Sequence, residues 1–157
     1  MIAAKSYLGK KVAVMGLARS GQSAAAALKA GGAEVIAWDD DVKKCIETRL
    51  LGINISDLTQ EDFTNIDALI LSPGIPHSYP KPHIVAKKAK KANTPIIGDV
   101  EIFAENFAEP RIIGITGTNG KSTTTALVGH ILRCAQLPAE IGGNIGFPVL
   151  ELSLIHI

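Results

Sequence analysis

A chain of 157 residues has room for one domain, or for one domain and part of another. Its 46% hydrophobic and 20% charged residues fit a folded globular protein, and a formal net charge of +1 gives no general attraction to nucleic acid or to an anionic membrane. Cys45 and Cys134 have no C-x-x-C spacing and no nearby histidine cluster, which argues against a zinc site or a disulfide framework. No stretch reaches the ~18 apolar residues of a membrane span, and the N-terminus lacks a signal-like apolar core, so a cytoplasmic protein is expected.

In chain order, Lys11 to Met15 is a short apolar run ending at Gly16, and Ser20 to Ala30 has helix-forming composition closed by Gly31-Gly32. The pattern predicts strand, turn, helix, stop. Ala33 to Trp38 repeats the strand signal and ends in Asp39-Asp40-Asp41; Val42 to Leu50 follows as a helix, and Asn54 to Ser56 as a short strand. Asp67 to Leu71 is a further strand before Ser72-Pro73-Gly74. A helix is predicted from Pro80 to Ala92, with Val85, Ala89 and Ala92 on one face, and Thr94 to Ile97 enters one more strand. Strands too apolar for one-sided burial, alternating with helices, predict an α/β fold: a Rossmann-like parallel sheet over residues 1–97. Gly98 to Phe107 reads as a linker helix. Arg111 to Thr116 then opens a second strand-loop-helix unit, the start of a P-loop domain.

That second unit carries the clearest motif. Gly117-Thr118-Asn119-Gly120-Lys121-Ser122-Thr123 places a glycine-rich turn between an apolar run and a helix. Backbone N–H groups and the helix N-terminus there suit a phosphate, with Lys121 reaching the β/γ-phosphates of a nucleotide and Ser122 placing its hydroxyl on Mg²⁺. Ile115 breaks the strict G-x-x-x-x-G-K-[ST] spacing, and the alternative is an ordinary turn with a solvated lysine. The first turn, Gly16-Leu17-Ala18-Arg19-Ser20-Gly21, is a G-x-A-x-x-G variant of the dinucleotide fingerprint, and Asp39 ends the next strand where an acid would read a ribose hydroxyl. Ala18 puts a methyl where the fingerprint's second glycine admits a pyrophosphate, so a nicotinamide or flavin dinucleotide, another nucleotide and a purely structural turn all stay open.

Ser72-Pro73-Gly74 falls at the same carboxyl edge, either as a ligand-binding loop or as a plain proline-glycine turn. Gly142-Gly143-Asn144-Ile145-Gly146 is another glycine-rich turn, whose Asn144 could donate to a ligand or adopt a left-handed conformation. Lys87, Lys88, Lys90 and Lys91 read as a solvated helix face, with no interleaved aromatics to suggest nucleic acid. His77, His83, His130 and His156 show no metal spacing, and Trp38 reads as core.

IIGITGTNGKSTTTALVGHIL followed by GGNIGFPVL resembles the central ATPase domain of the Mur ligases of peptidoglycan synthesis, a domain that folylpolyglutamate synthase shares. GLARSG, the aspartate after the second strand, LSPGIP and GDVEIF extend the resemblance from about Lys10 to Leu150. The shorter G-x-x-G-K-[ST] of that family accounts for Ile115. The resemblance implies a first domain that holds a uridine nucleotide rather than NAD, a second that binds ATP with Mg²⁺, and a third for an incoming amino acid. Arg19, Ser20 and Asp39 would lie at the uridine end; Ser72, Pro73 and Gly74 would line the diphosphate; Asn144 would lie near the substrate between domains. Gly117, Thr118, Asn119, Gly120, Lys121, Ser122 and Thr123 would cradle ATP, with Ser122 meeting the metal. The implied partners are small molecules, UDP-N-acetylmuramoyl-L-alanine, D-glutamate and ATP, joined through an acyl phosphate by a monomer with no membrane span and no nucleic-acid partner.

By the same resemblance residues 98–151 would be the truncated start of the ATPase domain, and the chain about a third of a ligase, inactive by itself. Residues 152–157 resemble a translated transposase mosaic end, a non-native tail. Three rivals remain: the family's enzyme that adds L-alanine to UDP-N-acetylmuramate, a non-catalytic nucleotide-binding module, and a nicotinamide-dependent oxidoreductase, which gives TGTNGKST no role.

Overall fold

A computed structural model describes residues 2–107, 111–143 and 145–152. Five short strands, β1 (Lys11–Met15), β2 (Glu34–Trp38), β3 (Asn54–Ile55), β4 (Ala68–Leu71) and β5 (Ile96–Ile97), pair in parallel in the order β3-β2-β1-β4-β5. The chain winds outward from β1 to β3, then crosses back to β4 and β5, which puts a topological switch point between β1 and β4. This is the α/β, Rossmann-like sheet that the apolar runs predicted.

Alternation along each strand divides the core between two faces. Val12 and Val14 of β1, Val35 and Ala37 of β2, and Ala68 and Ile70 of β4 face one layer; Ala13 and Met15, Ile36, and Leu69 and Leu71 face the other. The first layer receives α1 (Arg19–Ala30) through Ala24, Ala25, Ala27 and Leu28, and α2 (Val42–Leu50) through Cys45. The second receives α3 (Ile84–Lys91) through Val85, Ala86 and Ala89, closed by Leu58, Phe63 and Ile66. The alanine-rich face of α1 lets that helix lie close on the strands, so its N-terminus sits directly beyond the end of β1.

Three sequence expectations shift. The helix expected from Pro80 begins at Ile84, because Lys81 precedes Pro82 and is driven out of the helical region; His83 caps the start, its Nδ1 accepting from the Val85 N–H at 3.3 Å. The lysines of α3 are partly structural: Lys88 Nζ donates to Thr59 O at 2.7 Å and Lys90 Nζ to His77 O at 3.0 Å. The larger difference lies at Arg111 to Thr116, which is not a strand. No other strand lies beside it among the described residues, and an unpaired strand leaves its backbone donors and acceptors to water. Ile112 and Ile113 are accordingly exposed.

α4 (Asp99–Asn106) packs back on the first layer through Ile102 and Phe103. After it the chain makes an excursion through α5 (Lys121–Cys134), whose only buried residue is Gly129, and then returns. The return is firm: a short 3-10 helix at Val149–Glu151 lies against α1 and α4, the Ile2 N–H donates to Leu150 O at 3.0 Å, and Leu150 is fully buried. Leu152 joins the same cluster; the rest of the expected tail lies outside the described residues. No described helix is long and apolar enough to cross a membrane.

Candidate functional site

The first glycine-rich turn is built by close packing. Gly16 adopts a φ of +91°, and its N–H donates to Trp38 O at 2.8 Å, carrying the β1–β2 ladder one residue past the strand. A Cβ on Gly16 would lie 2.7 Å from Ile75 Cδ1 and 2.8 Å from Ser72 Cβ; one on Gly21 would lie 1.7 Å from Gly16 O. The outer glycines are thus required by the contact of turn, helix and β4 loop. Ala18, between them, is exposed and lines the cleft above the turn.

Asp39 pins the turn from the side. Its Oδ2 accepts from the Leu17 N–H at 2.6 Å, its Oδ1 from the Asp41 N–H at 2.9 Å, and Lys44 Nζ lies 3.5 Å from Oδ2. Burial opposes its charge, but these two backbone donors and the ammonium outweigh burial and hold the carboxyl below the ordinary aspartate range. Behind it, the Cys45 thiol donates to Asp39 O at 3.2 Å. Ser72 pins the turn from the β4 side, its N–H donating to Met15 O at 3.0 Å and its hydroxyl to Gly16 O at 2.8 Å. Any ligand contact by Asp39 or Ser72 adds to these internal bonds, so both residues act first by shaping the turn.

Above the turn lies a cleft of about 530 Å³. It brings together every described residue expected at the substrate end: Arg19 and Ser20 from the start of α1, Asp39 beyond β2, and Ser72, Pro73 and Gly74 beyond β4. The donors it offers an anion are the Arg19 guanidinium, the Lys44 ammonium beside Asp39, and the N-terminus of α1, which no side chain caps, while the Ser20 hydroxyl is already bonded to the Asp99 carboxyl. Asp99, the first residue of α4, faces Ser20, and burial pushes its carboxyl above the ordinary range. Lys44, Ile75 and Pro148 also line the cleft; Ile75 and Pro148 lie in the LSPGIP and GGNIGFPVL stretches without having been singled out, and no motif had pointed to Lys44. Pro148 and Gly143 arrive with the returning chain, in a tight loop where the Gly143 N–H donates to Phe147 O at 2.9 Å. Asn144, expected near the substrate, lies outside the described residues.

The second glycine-rich turn is separate from the cleft, which none of residues 117–123 lines. Gly120 takes a φ of +76° and leads into α5 without a side-chain cap, leaving the helix N-terminus open to an anion. Lys121 is folded over its own loop, its ammonium donating to the carbonyls of Gly117 and of Thr118, the latter at 3.1 Å. Ser122 is exposed. This loop offers a lysine, a hydroxyl and open backbone donors at one helix end, a set suited to polyphosphate. Among the described residues no three acidic, histidine or cysteine side chains form a metal cluster.

Comparison with known proteins gives a consistent set of relatives. The chain is 48% identical over 162 aligned residues to a UDP-N-acetylmuramoylalanine–D-glutamate ligase of Caulobacter sp. (strain K31), covering 99% of this chain and 34% of that protein. It is 49% identical over 156 residues to the ligase of the same name from Rhodopseudomonas palustris, covering 97% of this chain and 33% of the relative. The ligase of Phenylobacterium zucineum matches at 46% identity, with 99% and 34% covered. The chain therefore spans about a third of the length of the curated relatives it matches. No family model matches it. Among solved structures, a shikimate dehydrogenase from Aquifex aeolicus aligns with a TM-score of 0.49 at 14% identity, covering 68% of this chain and 51% of that one. An imine reductase from Pseudomonas sp. aligns with a TM-score of 0.43 at 17% identity, covering 62% and 37%.

Proposed function

We propose that the chain forms the uridine-nucleotide cleft and the ATP-phosphate loop of a Mur-family ligase, one that joins D-glutamate to UDP-N-acetylmuramoyl-L-alanine. The observation that carries this reading is the 46–49% identity over 97–99% of the chain to ligases of that name. The cleft supports it: the described residues that such a ligase would place at the nucleotide substrate converge on one sheet edge. In this reading residues 1–97 form the substrate-binding unit, and residues 98–151 belong to the ATP-binding unit.

The reaction has two steps. The carboxylate of the nucleotide substrate attacks the γ-phosphorus of ATP, giving an acyl phosphate and ADP; the amine of D-glutamate then displaces phosphate and forms the amide. Arg19, Ser20 and Asp39 lie at the uridine end of the nucleotide substrate, Ser72, Pro73 and Gly74 line its diphosphate, and Asn144 lies near the substrate between domains. Gly117 to Thr123 wrap the ATP phosphates with backbone N–H groups. Lys121 leaves its two loop carbonyls for the phosphate oxygens and stabilises the charge that develops as the phosphoryl group transfers. Ser122 suits Mg²⁺ as one oxygen donor among phosphates and water, since Mg²⁺ is bound by few protein ligands. When bound, the ion neutralises phosphate charge.

The test is a pair of calorimetric titrations, with UDP-N-acetylmuramoyl-L-alanine and with NAD⁺. Saturable binding of the uridine ligand alone, weakened about tenfold or more by Arg19→Ala, is the expected result. Binding of NAD⁺ alone would make the cleft a dinucleotide site and sink the reading.

A further inference from the structure

We propose that Asp99 is a positioning residue of the cleft: a phosphate arriving at the N-terminus of α1 draws a proton from solvent onto the Asp99 carboxyl, and the Ser20 hydroxyl, released from Asp99, turns its own proton to the ligand. The proposal rests on the reading of the cleft as a uridine-nucleotide site.

Ser20 is the second residue of α1 and lines the cleft at the helix end that no side chain caps. Its hydroxyl is bonded to the carboxyl of Asp99, the first residue of α4. A hydroxyl has one proton to give and two lone pairs with which to accept. With Asp99 ionised, that proton points at the carboxylate, and an incoming phosphate meets a lone pair backed by a negative charge. With Asp99 protonated, the carboxylic acid donates to Ser20 Oγ, and the serine O–H is free for a phosphate oxygen. Only the second arrangement makes Ser20 a donor to an anion.

The surroundings of Asp99 favour that arrangement. Burial acts on the carboxyl most strongly and raises it; the N–H groups of Asp99 and Val100 and the Ser20 hydroxyl pull the other way without prevailing. Glu101, on α4 itself, accepts from the Gly98 N–H at 3.0 Å and adds a negative charge that raises Asp99 further. α4 also packs against α1, against an N-terminal 3-10 helix at Lys5–Tyr7 and against the returning 3-10 helix. Their titratable groups, Arg19 and Lys29, Lys5 and Tyr7, and Glu151, act on Asp99 less than Glu101 does. A phosphate on the far side of Ser20 brings one more like charge and completes the shift to the acid.

The diphosphate and carboxylate of the ligand stay ionised from about pH 6 to about pH 8, so proton uptake in that range belongs to the protein. Calorimetric titration with UDP-N-acetylmuramoyl-L-alanine in two buffers of different ionisation heat should show net uptake on binding. Affinity should rise by up to about tenfold per pH unit as the pH falls. Asp99→Asn carries a permanent amide donor for Ser20 Oγ. It should bind without that uptake and, at the upper end of the range, about three- to tenfold more tightly than the unsubstituted chain. A tie that merely held α4 to α1 predicts weaker binding instead, and that result, undiminished uptake in Asp99→Asn, or no uptake by the unsubstituted chain would overturn the proposal. If Asp99→Asn does not fold, carbon-13 spectra of the unsubstituted chain decide: the Asp99 carboxyl signal should move to its protonated position when ligand is added, and an ionised signal in the complex overturns the proposal. Failure of the unsubstituted chain to bind the uridine ligand would instead refute the reading of the cleft.

Discussion

The two glycine-rich turns, at Gly16–Gly21 and Gly117–Gly120, read alike in sequence and differ in what surrounds them. In the first, Gly16 and Gly21 are pressed against the β4 loop and each other, and Asp39 and Ser72 bond to the backbone of the turn. In the second, a Cβ on Gly120 would meet nothing within 4 Å, and the helix that follows has one buried residue. Loop chemistry specifies the bend and the anion-binding donors; only flanking paired strands make the bend rigid. The first turn is held before any ligand arrives, whereas the second has its lysine bonded to its own carbonyls and must rearrange to hold a phosphate.

The sharpest contrast comes from two leucines of the later part of the chain. Leu150 is fully buried between α1 and α4, although α4 ended more than forty residues earlier; Leu127 on α5 is 55% exposed. Leu150→Ala should cost about 2–5 kcal/mol in urea unfolding, and Leu127→Ala within about 0.5 kcal/mol. Equal effects would mean that the return of the chain does not stabilise the sheet unit. Amide exchange should separate the regions the same way, with strong protection in β1, β2 and β4 and weak protection in α5.

A glycine pair tests the turns themselves. Gly21 lies inside α1, where alanine would ordinarily gain about 1 kcal/mol. With its Cβ 1.7 Å from Gly16 O, Gly21→Ala should instead destabilise by about 1–3 kcal/mol and weaken ligand binding in the cleft. Gly120→Ala meets no neighbour and should lose only about 1 kcal/mol for its positive φ. Thermal unfolding of both variants decides the matter; a stabilised Gly21→Ala would show that the first turn is looser than its contacts indicate.

These contrasts mark what could be read in the residues. The sheet was legible because each strand is a short apolar run with a hard stop, at Gly16, at Asp39 or at Ser72, and the carboxyl-edge site followed from those stops. Ile112 and Ile113 carry the same apolar signal as β4 without its outcome, since strand formation depends on partners that local sequence does not reveal. His83 was silent for a related reason: its approach to Asp40 crosses an interval of sequence that only the fold closes. Asp39 was found for the spacing that suits a ribose contact, and its carboxylate is spent first on the turn beneath.

The pH dependence of stability should distinguish two aspartates of the rigid region. Asp39 is held below its unfolded value of about 3.9, so its contribution is present above that pH and lost as the pH falls through the lower folded value. Asp99 is raised by burial, so its contribution is complete below about 3.9 and is lost as the pH rises through its folded value. On acidification Asp99 should first add stability and Asp39 should then remove it. Asp99→Asn should flatten the upper limb and Asp39→Asn the lower, as read from unfolding midpoints over that range; limbs assigned the other way round would contradict both environments.

The smallest effect on stability, and the most informative about the open turn, is expected of Lys121→Ala. Among the described residues the Lys121 ammonium bonds only to the carbonyls of Gly117 and Thr118, at the surface, so its loss should change unfolding free energy by no more than about 0.5 kcal/mol. A loop that is rearranged by phosphate needs that ammonium for its ligand rather than for its fold. Titration with ATP and Mg²⁺ should therefore show binding by the unsubstituted chain and a loss of about tenfold or more in the variant, with the titration by the uridine ligand unchanged. A variant that unfolds readily while still binding ATP would reverse the comparison, making Lys121 a structural tie of its loop and placing the phosphate elsewhere.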